Sequence, residues 1–237
     1  MNIINLPQDI ILYIIDFINN TKPFVLFRYS CNDILNLVSF SRIYYKGSLI
    51  EHTYYVNKIK HGENIIYNDY PNIKTLRKYK YGKLYGITNH YNNTVLRKHI
   101  NYKNNMRHGK MKTYDEYGNF ISYENYFNGH VHGKQILYNK NGKILYRLLY
   151  NMGKLNGKQT FNYMSGNIKY KKEYINGLEN GKQYDFIDND NNAITSICNY
   201  INGKKEDYQY YFYKNTTIIG KIINYKNNLK HGESIYF

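Results

Sequence analysis

The stretch that decides the fold runs from Tyr126 to Gly142 and reads Y-F-N-G-H-V-H-G-K-Q-I-L-Y-N-K-N-G. Twenty-four residues later a related stretch, Y-N-M-G-K-L-N-G-K-Q-T-F-N-Y-M-S-G, runs from Tyr150 to Gly166. Further related stretches begin at Tyr102 and at Tyr174. Self-similarity at a fixed period is the signature of a repeat architecture, so the period predicts the fold more strongly than any single motif does.

A glycine and a tyrosine mark each repeat, and we call them the anchor glycine and the anchor tyrosine. The anchor glycines recur at spacings of 23 to 26 residues, with Asp207 in place of one of them, and each anchor is preceded by a tyrosine seven residues earlier. Eight such registers predict eight repeats. The anchors are Tyr55, Gly62, Tyr79, Gly86, Tyr102, Gly109, Tyr126, Gly133, Tyr150, Gly157, Tyr174, Gly181, Tyr200, Asp207, Tyr225 and Gly232.

Each repeat predicts two strands and two turns, as in the strands Lys134 to Tyr138 and Ile144 to Tyr150. Asn141-Gly142 between these strands is a hairpin dipeptide that accepts positive φ at both positions. In the second turn a glycine supplies the left-handed conformation. Examples of this second turn are Asn128-Gly129, Asn176-Gly177 and Asn202-Gly203. Short strands joined by tight reversals pair with their sequence neighbours, so we expect an antiparallel meander.

The tyrosines have two interpretations. A sheet without a second layer stabilises itself through cross-strand pairs, and tyrosine rings give apolar contact while their hydroxyls stay in water. Alternatively, the rings and the lysine excess form a stacking platform for single-stranded nucleic acid. We expect the structural role and do not expect nucleic-acid binding.

The first fifty residues have a helical pattern. Apolar residues recur at helical spacing after Leu6-Pro7, and Pro7 suits the first turn of a helix. We expect a short second helix over Phe24 to Tyr29. We expect a third helix from Asp33 to Tyr45, which Asn32 or Asp33 caps and Gly47 closes.

The chain is strongly basic. It has 33 Lys and Arg against 17 Asp and Glu, and its formal net charge is +16. Such a charge suggests nucleic acid, anionic lipid or an acidic partner. A second explanation is an AT-rich genome, since the abundant Asn, Lys, Ile and Tyr have A/T-rich codons. Two cysteines give no disulfide framework, and the absence of a signal peptide and of a long apolar run predicts a soluble, intracellular, cytoplasmic protein.

Candidate catalytic and metal sites are weak. Histidines precede four anchor glycines, but equivalent positions lie two strands apart, about 10 Å, which is too far for shared zinc ligation. Gly-x-x-x-Gly-Lys at Gly129, Gly153 and Gly177 lacks the spacing of a phosphate loop. The stretch from Asp188 to Asn192 lacks the glycine and glutamate of a calcium loop. We therefore expect no metal, no cofactor and no enzyme activity. The histidines are His61, His108, His132 and His231.

The last residues, Ile235-Tyr236-Phe237, stop one strand into the last repeat. An unpaired apolar edge invites pairing with another chain. We expect this segment to fold back or to mediate self-association.

The N-terminal segments resemble an F-box over roughly residues 4 to 50. The resemblance rests on L-P-Q-D-I-I-L-Y-I-I from Leu6 and D-I-L-N-L-V-S-F-S-R-I-Y-Y from Asp33, although the connection from Asn19 to Cys31 is long and Tyr44 replaces a tryptophan. It implies binding to the Skp-type adaptor of a cullin ubiquitin ligase; the alternative is a helical cap on the first repeat. The residues expected to face the adaptor or form the core are Leu6, Pro7, Ile10, Ile14, Leu35 and Phe40.

The pattern Y-x-N-G-x-x-x-G over residues 54–237 resembles MORN repeats, in the variant form of antitoxin-like bacterial proteins. That family implies an elongated single-layer sheet, here about 75 Å long. The expected fold is α+β and mostly β, with a helical head at 1–53 and an array at 54–237. The array would capture an unknown protein substrate for the ligase, or would bind an anionic membrane surface. The combination resembles F-box repeat proteins of giant DNA viruses, which would place it in the host cytoplasm.

Overall fold

The computed structural model describes residues 38–45, 47–69, 72–189 and 191–237. The regular structure in these residues consists of twenty-one β-strands, and they contain no helix. The strands are β1 Val38–Tyr45, β2 Ser48–Val56, β3 Ile59–Asp69, β4 Asn72–Lys80, β5 Lys83–Leu84, β6 Gly86–Asn92, β7 Val95–Lys103, β8 Met106–Tyr114, β9 Phe120–Phe127, β10 His130–Tyr138, β11 Ile144–Asn151, β12 Lys154–Leu155, β13 Gly157–Asn162, β14 Ile168–Ile175, β15 Leu178–Glu179, β16 Gly181–Phe186, β17 Ile194–Ile201, β18 Lys204–Lys205, β19 Asp207–Phe212, β20 Ile219–Lys226 and β21 Leu229–Tyr236.

The chain divides into two compact units. The first contains the described residues up to Leu96 together with Asn101–Met106, and the second contains Arg97–Ile100 and Arg107–Phe237. In the first unit β1 pairs with β2, β2 with β3, β3 with β4 and β4 with β6, all antiparallel. In the second unit neighbouring long strands pair in the same way from β8 to β21. Each unit is an antiparallel meander, so that prediction is confirmed.

The short turns between repeats contain two left-handed residues. Asn176 has φ 52° and Gly177 has φ 88°, and Asn128-Gly129 and Asn202-Gly203 have the same signs. Two positive φ values in a two-residue hairpin turn define type I′, whose twist matches that of the strands. The prediction for this turn is confirmed.

The longer turn differs from its prediction. At Asn139 to Lys143 only Gly142 has a positive φ, at 72°, so the positive φ expected for Asn141 is wrong. Asn139 N–H donates to the Lys143 carbonyl at 2.8 Å, and Gly142 N–H donates to the Asn139 carbonyl at 2.9 Å. The hairpin loop is therefore longer than two residues, and a longer loop of this kind needs only one left-handed position.

Each anchor glycine lies at a β-bulge. Tyr150 pairs with Leu155 while Tyr146 pairs with Phe161, so the segment that contains Gly157 holds two more residues than β11 between these partners. All anchor glycines have φ between 71° and 89°, and Asp207, which replaces one of them, has φ 61°. The recurrence of glycine thus reflects a backbone conformation that glycine adopts without steric cost.

The anchor tyrosines lie opposite the bulges. Tyr150 pairs with Gly133, Tyr174 with Gly157, Tyr200 with Gly181 and Tyr225 with Asp207. A large ring beside a residue with a small side chain or none is a recurrent cross-strand pairing. The anchor tyrosine of one repeat therefore lies directly across from the anchor glycine of the preceding repeat.

The helix expected from Asp33 to Tyr45 is wrong over Val38–Tyr45, which form β1. This segment is rich in β-branched and aromatic residues, and pairing along Ser48–Val56 outweighs its helical periodicity. Strand β2 crosses the predicted domain boundary at residue 53. The rest of the predicted helical head, residues 1–37, lies outside the described residues.

Candidate binding surface

Strand pairing sorts the side chains of the second unit onto two faces, because successive residues alternate sides and directly opposed residues share one. The tyrosine face carries the anchor tyrosines and the glutamines two residues after the anchors: Tyr126, Tyr150, Tyr174, Tyr200, Tyr225, Gln135, Gln159, Gln183 and Gln209. The lysine face carries Lys110, Lys134, Lys158, Lys182, Arg147 and Lys171.

The glutamines fill the bulges. Gln159, Gln183 and Gln209 are 1%, 3% and 0% exposed. The Gln183 Oε1 accepts the N–H of Glu173 at 2.9 Å, and its Nε2 donates to the Glu173 carbonyl at 3.0 Å and the Gly181 carbonyl at 3.3 Å. Gln159 and Gln209 make the corresponding bonds. These side chains replace the ladder bonds that the bulge removes, as buried backbone groups require. Sequence reasoning missed this role, although G-K-Q recurs at 157 and 181.

The tyrosine face also holds bonded carboxylates. Tyr126 donates to the Glu124 carboxylate and accepts from Arg107 at 2.8 Å. Lys172 donates to the Glu179 carboxylate at 2.7 Å. Burial, followed by the Glu124 carboxylate, raises the pKa of Tyr126 to about 12. The expectation that the anchor hydroxyls stay in water is therefore wrong for Tyr126.

Burial likewise raises the pKa of Tyr200 to about 12, with the Glu179 carboxylate as the next contribution. The pKa values of Tyr146, Tyr150 and Tyr174 are raised as well, in each case mainly because the ring is buried. A raised pKa keeps these hydroxyls neutral up to a higher pH than that of an exposed tyrosine, as expected for rings that are packed on one face of the sheet.

The lysine face has a regular cationic row, formed by the residue after the anchor glycine in four consecutive repeats. This lysine row consists of Lys110, Lys134, Lys158 and Lys182, which are all exposed. Their cross-strand partners are Asn125, Leu149, Glu173 and Asn199, so one partner in four is acidic. Lys134, Lys158 and Lys182 form no ion pair with any described residue. A second line on this face contains Arg147 and Lys171, which both pair with Thr160.

The type I′ turns are bonded from one repeat to the next. Gly177 N–H donates to the Leu155 carbonyl at 2.8 Å, and Asn176 N–H donates to Asn156 Oδ1 at 3.1 Å. A polar side chain just before the anchor accepts in the same way along the chain. These acceptors are His61, His108, His132, Asn156, Asn180 and Glu206. Sequence reasoning considered the histidines only as metal ligands and missed that they accept bonds from the next turn.

The other predicted site residues divide between the described part of the chain and the rest. Phe40 lies in β1, opposite Tyr54. Leu6, Pro7, Ile10, Ile14 and Leu35 lie outside the described residues. Within the described residues, no group of three or more His, Cys, Asp or Glu side chains could hold a metal ion. In the calcium-like stretch Asp188 accepts hydrogen bonds from Ser165 and Asn167, which ties two loops together.

No protein-family model and no curated protein matches the chain. The resemblances to F-box and MORN proteins therefore stay predictions from the sequence. In the part of the chain that the structure describes, no helix is long and apolar enough to cross a membrane.

Proposed function

We propose that the protein is a non-enzymatic binding protein whose lysine face attaches it to an anionic membrane surface. The single observation that carries the proposal is the lysine row. Its members occupy the same position in four consecutive repeats, and each lies two strands, about 10 Å, from the next. A line of exposed cations with few opposing carboxylates is complementary to a surface of closely spaced lipid phosphates.

The expected binding free energy is that of a reversible association. Each lysine or arginine near an anionic leaflet contributes about 1 kcal/mol. The four lysines with Arg147 and Lys171 would supply about 6 kcal/mol, which corresponds to weak binding between micromolar and millimolar. Because the charges lie in water, the attraction would fall with added salt. The cytoplasmic leaflet of a membrane carries the negative surface potential that would attract these lysines. Binding there agrees with the intracellular location expected from the sequence.

The separation of the two faces favours lipid over single-stranded nucleic acid. A stacking platform needs rings and cations along one groove. The anchor tyrosines lie on the tyrosine face, where Tyr126 is 7% exposed, while the lysine row lies on the other side of the strands. The anchor tyrosines and the lysine row therefore do not form a common stacking platform for single-stranded nucleic acid.

Recruitment of a ubiquitin-ligase substrate has less support. It depends on residues 1–37, which lie outside the described residues, and on a third helix that is replaced by β1 over Val38–Tyr45. Adaptor binding, MORN membership, a viral source and self-association through the last strand stay predictions from the sequence.

Vesicle sedimentation tests the proposal. The purified protein is mixed with neutral phosphatidylcholine vesicles or with vesicles that also contain phosphatidylserine, at low and at high salt. We expect binding to the anionic vesicles alone, and a loss of binding at high salt. Equal binding to neutral vesicles, or none to either, would contradict the proposal. A Skp-type adaptor that is retained at high salt, without vesicle binding, would favour the F-box interpretation.

A further inference from the structure

Exposed apolar side chains line the type I′ turns of the second unit. We call the turns at residues 128–129, 152–153, 176–177 and 202–203, with the residues flanking them, the turn edge. Five apolar side chains of the turn edge are about half exposed. They are Phe127 at 44%, Met152 at 46%, Ile175 at 50%, Leu178 at 51% and Ile201 at 50%.

Part of this apolar set shares a side with the lysine row. Ile175 pairs with Leu178, and Ile175 lies two residues beyond Glu173, the partner of Lys158. Residues two apart on a strand point the same way. Exposed Lys154 and Lys204 occupy the position of Leu178 in the adjoining repeats, so lysines alternate with apolar residues along the turn edge.

The alternation is continuous because each turn lies against the preceding repeat. A Cβ added at Gly177 would lie 3.7 Å from Lys154 Cβ, and one added at Gly203 would lie 3.5 Å from Leu178 Cδ2. The lysine stems thus belong to the same strip as the aliphatic side chains. Long lysine side chains cover apolar surface with their stems while the charged end stays in water.

The backbone of the turn edge suits a less polar environment. In the turn at 176–177 both N–H groups donate to the preceding repeat, one to the Leu155 carbonyl and one to Asn156 Oδ1. The turn at 202–203 is bonded in the same way, to the Glu179 carbonyl and to Asn180 Oδ1. Desolvating an unpaired N–H would be costly, so these satisfied donors lower the free energy of leaving water.

We propose that the turn edge inserts its apolar side chains into the interfacial layer of the anionic bilayer while its lysines remain at the phosphates. This inference rests on the membrane binding proposed above and goes beyond it, because the lysine row alone requires only attachment at the surface. Apolar residues interleaved with lysines are typical of segments that lie in a bilayer interface. A nucleic acid has no apolar layer that would bury Ile175 and Leu178.

A single introduced tryptophan tests the insertion, since the chain contains none. One variant carries Ile175→Trp at the turn edge. The matched control carries Met164→Trp, at a 64% exposed position in the longer turn at the opposite end of the hairpin. We expect anionic vesicles to shift the emission of Ile175→Trp to shorter wavelength, and lipids brominated on their acyl chains to quench it. The emission of Met164→Trp should stay unchanged.

The outcomes separate this inference from the proposed function. If wild-type protein sediments with anionic vesicles but the emission of Ile175→Trp neither shifts nor is quenched, the insertion is refuted and surface attachment stands. If wild-type protein does not bind anionic vesicles at all, the proposed function fails and the insertion fails with it.

A second pair of variants gives an independent readout. Replacing Ile175 and Leu178 by serine removes two half-exposed side chains, and we expect affinity for anionic vesicles to fall about tenfold. Replacing Met164 and Ile218 by serine, both more than 60% exposed and in the longer turns, should leave affinity unchanged. Equal affinities of the two double variants would overturn the insertion.

Discussion

A bulge in the first unit and one in the second share their backbone geometry but differ in one side chain. Tyr85 N–H donates to the Lys78 carbonyl at 2.9 Å, and Asn180 N–H donates to the Glu173 carbonyl at the same distance. In the second unit Gln183 then pairs with both the N–H and the carbonyl of Glu173. In the first unit Thr88 has the equivalent position, 3% exposed, and its Oγ1 has no partner.

The comparison separates two requirements of the repeat. The anchor glycine lets the backbone bulge, and the glutamine satisfies the polar groups that the bulge exposes. Threonine is too short to reach the strand that Lys78 occupies, so its own hydroxyl becomes a buried group without a partner. Such a group costs about 1–3 kcal/mol. The bulge forms in both units, and the bulge at Gly181 is stabilised further by Gln183, whose side chain reaches the opposite strand.

Removing a bonded glutamine should have the largest effect on stability. We expect Gln183→Ala to lower the free energy of unfolding by about 3 kcal/mol, because the backbone of Glu173 and the Gly181 carbonyl lose their partner. Urea unfolding measures the change. Gln135→Ala is the matched control: Gln135 has the same position, but its side chain forms no hydrogen bond among the described residues, and we expect a loss below about 1 kcal/mol. Equal losses in the two variants would refute the role given to Gln183.

Adding a glutamine to the bulge of the first unit should have the opposite effect and stabilise the protein. We expect Thr88→Gln to raise the free energy of unfolding by about 1 kcal/mol, because the longer side chain reaches the N–H and carbonyl of Lys78. Thermal and urea unfolding measure the gain. A destabilised variant would mean that the first unit leaves no space for the glutamine, in spite of the shared bond from Tyr85 to Lys78.

The prediction with the smallest effect on stability at neutral pH concerns the tyrosine face. The pKa of Tyr126 and of Tyr200 is about 12 in the folded protein, above the value of about 10 for an exposed tyrosine. The folded state therefore holds these protons more tightly, and this stabilisation is complete below pH 10 and lost as the pH rises to 12. Urea unfolding at several alkaline pH values should show stability falling over this range, and less steeply in Tyr200→Phe. A flat profile would contradict the burial of Tyr126 and the partial burial of Tyr200.

The period of the repeat, its antiparallel strands and its short turns could be predicted from the sequence, because glycine, tyrosine and Asn-Gly act locally. The roles of Gln183 and His132 could not, since each depends on a partner ten or twenty residues away that only the bulge or the stacked turn defines. The signal for Gln183 was present in the recurring G-K-Q, but its partner is backbone and leaves no mark in the sequence.

The helix prediction for Val38–Tyr45 was wrong for a different reason. Its apolar residues fit a helical face, but a strand pattern fits as well, and pairing with β2 decides between them. From the sequence alone, the lysine row could be recognised only as part of the excess of positive charge. Its alignment on one face appears once the register places Lys134, Lys158 and Lys182 at equivalent positions.

The most direct test of the account compares two double variants in vesicle sedimentation. One replaces Lys134 and Lys158 of the lysine row by glutamine. The other replaces Lys140 and Lys214 by glutamine; these are also exposed but lie in the longer turns at the opposite end of the hairpins. Both variants lose two charges, so net charge alone predicts the same effect. We expect affinity for anionic vesicles to fall about thirtyfold in the first variant and to stay near the wild-type value in the second. Equal losses in both would contradict the assignment of membrane binding to the lysine face.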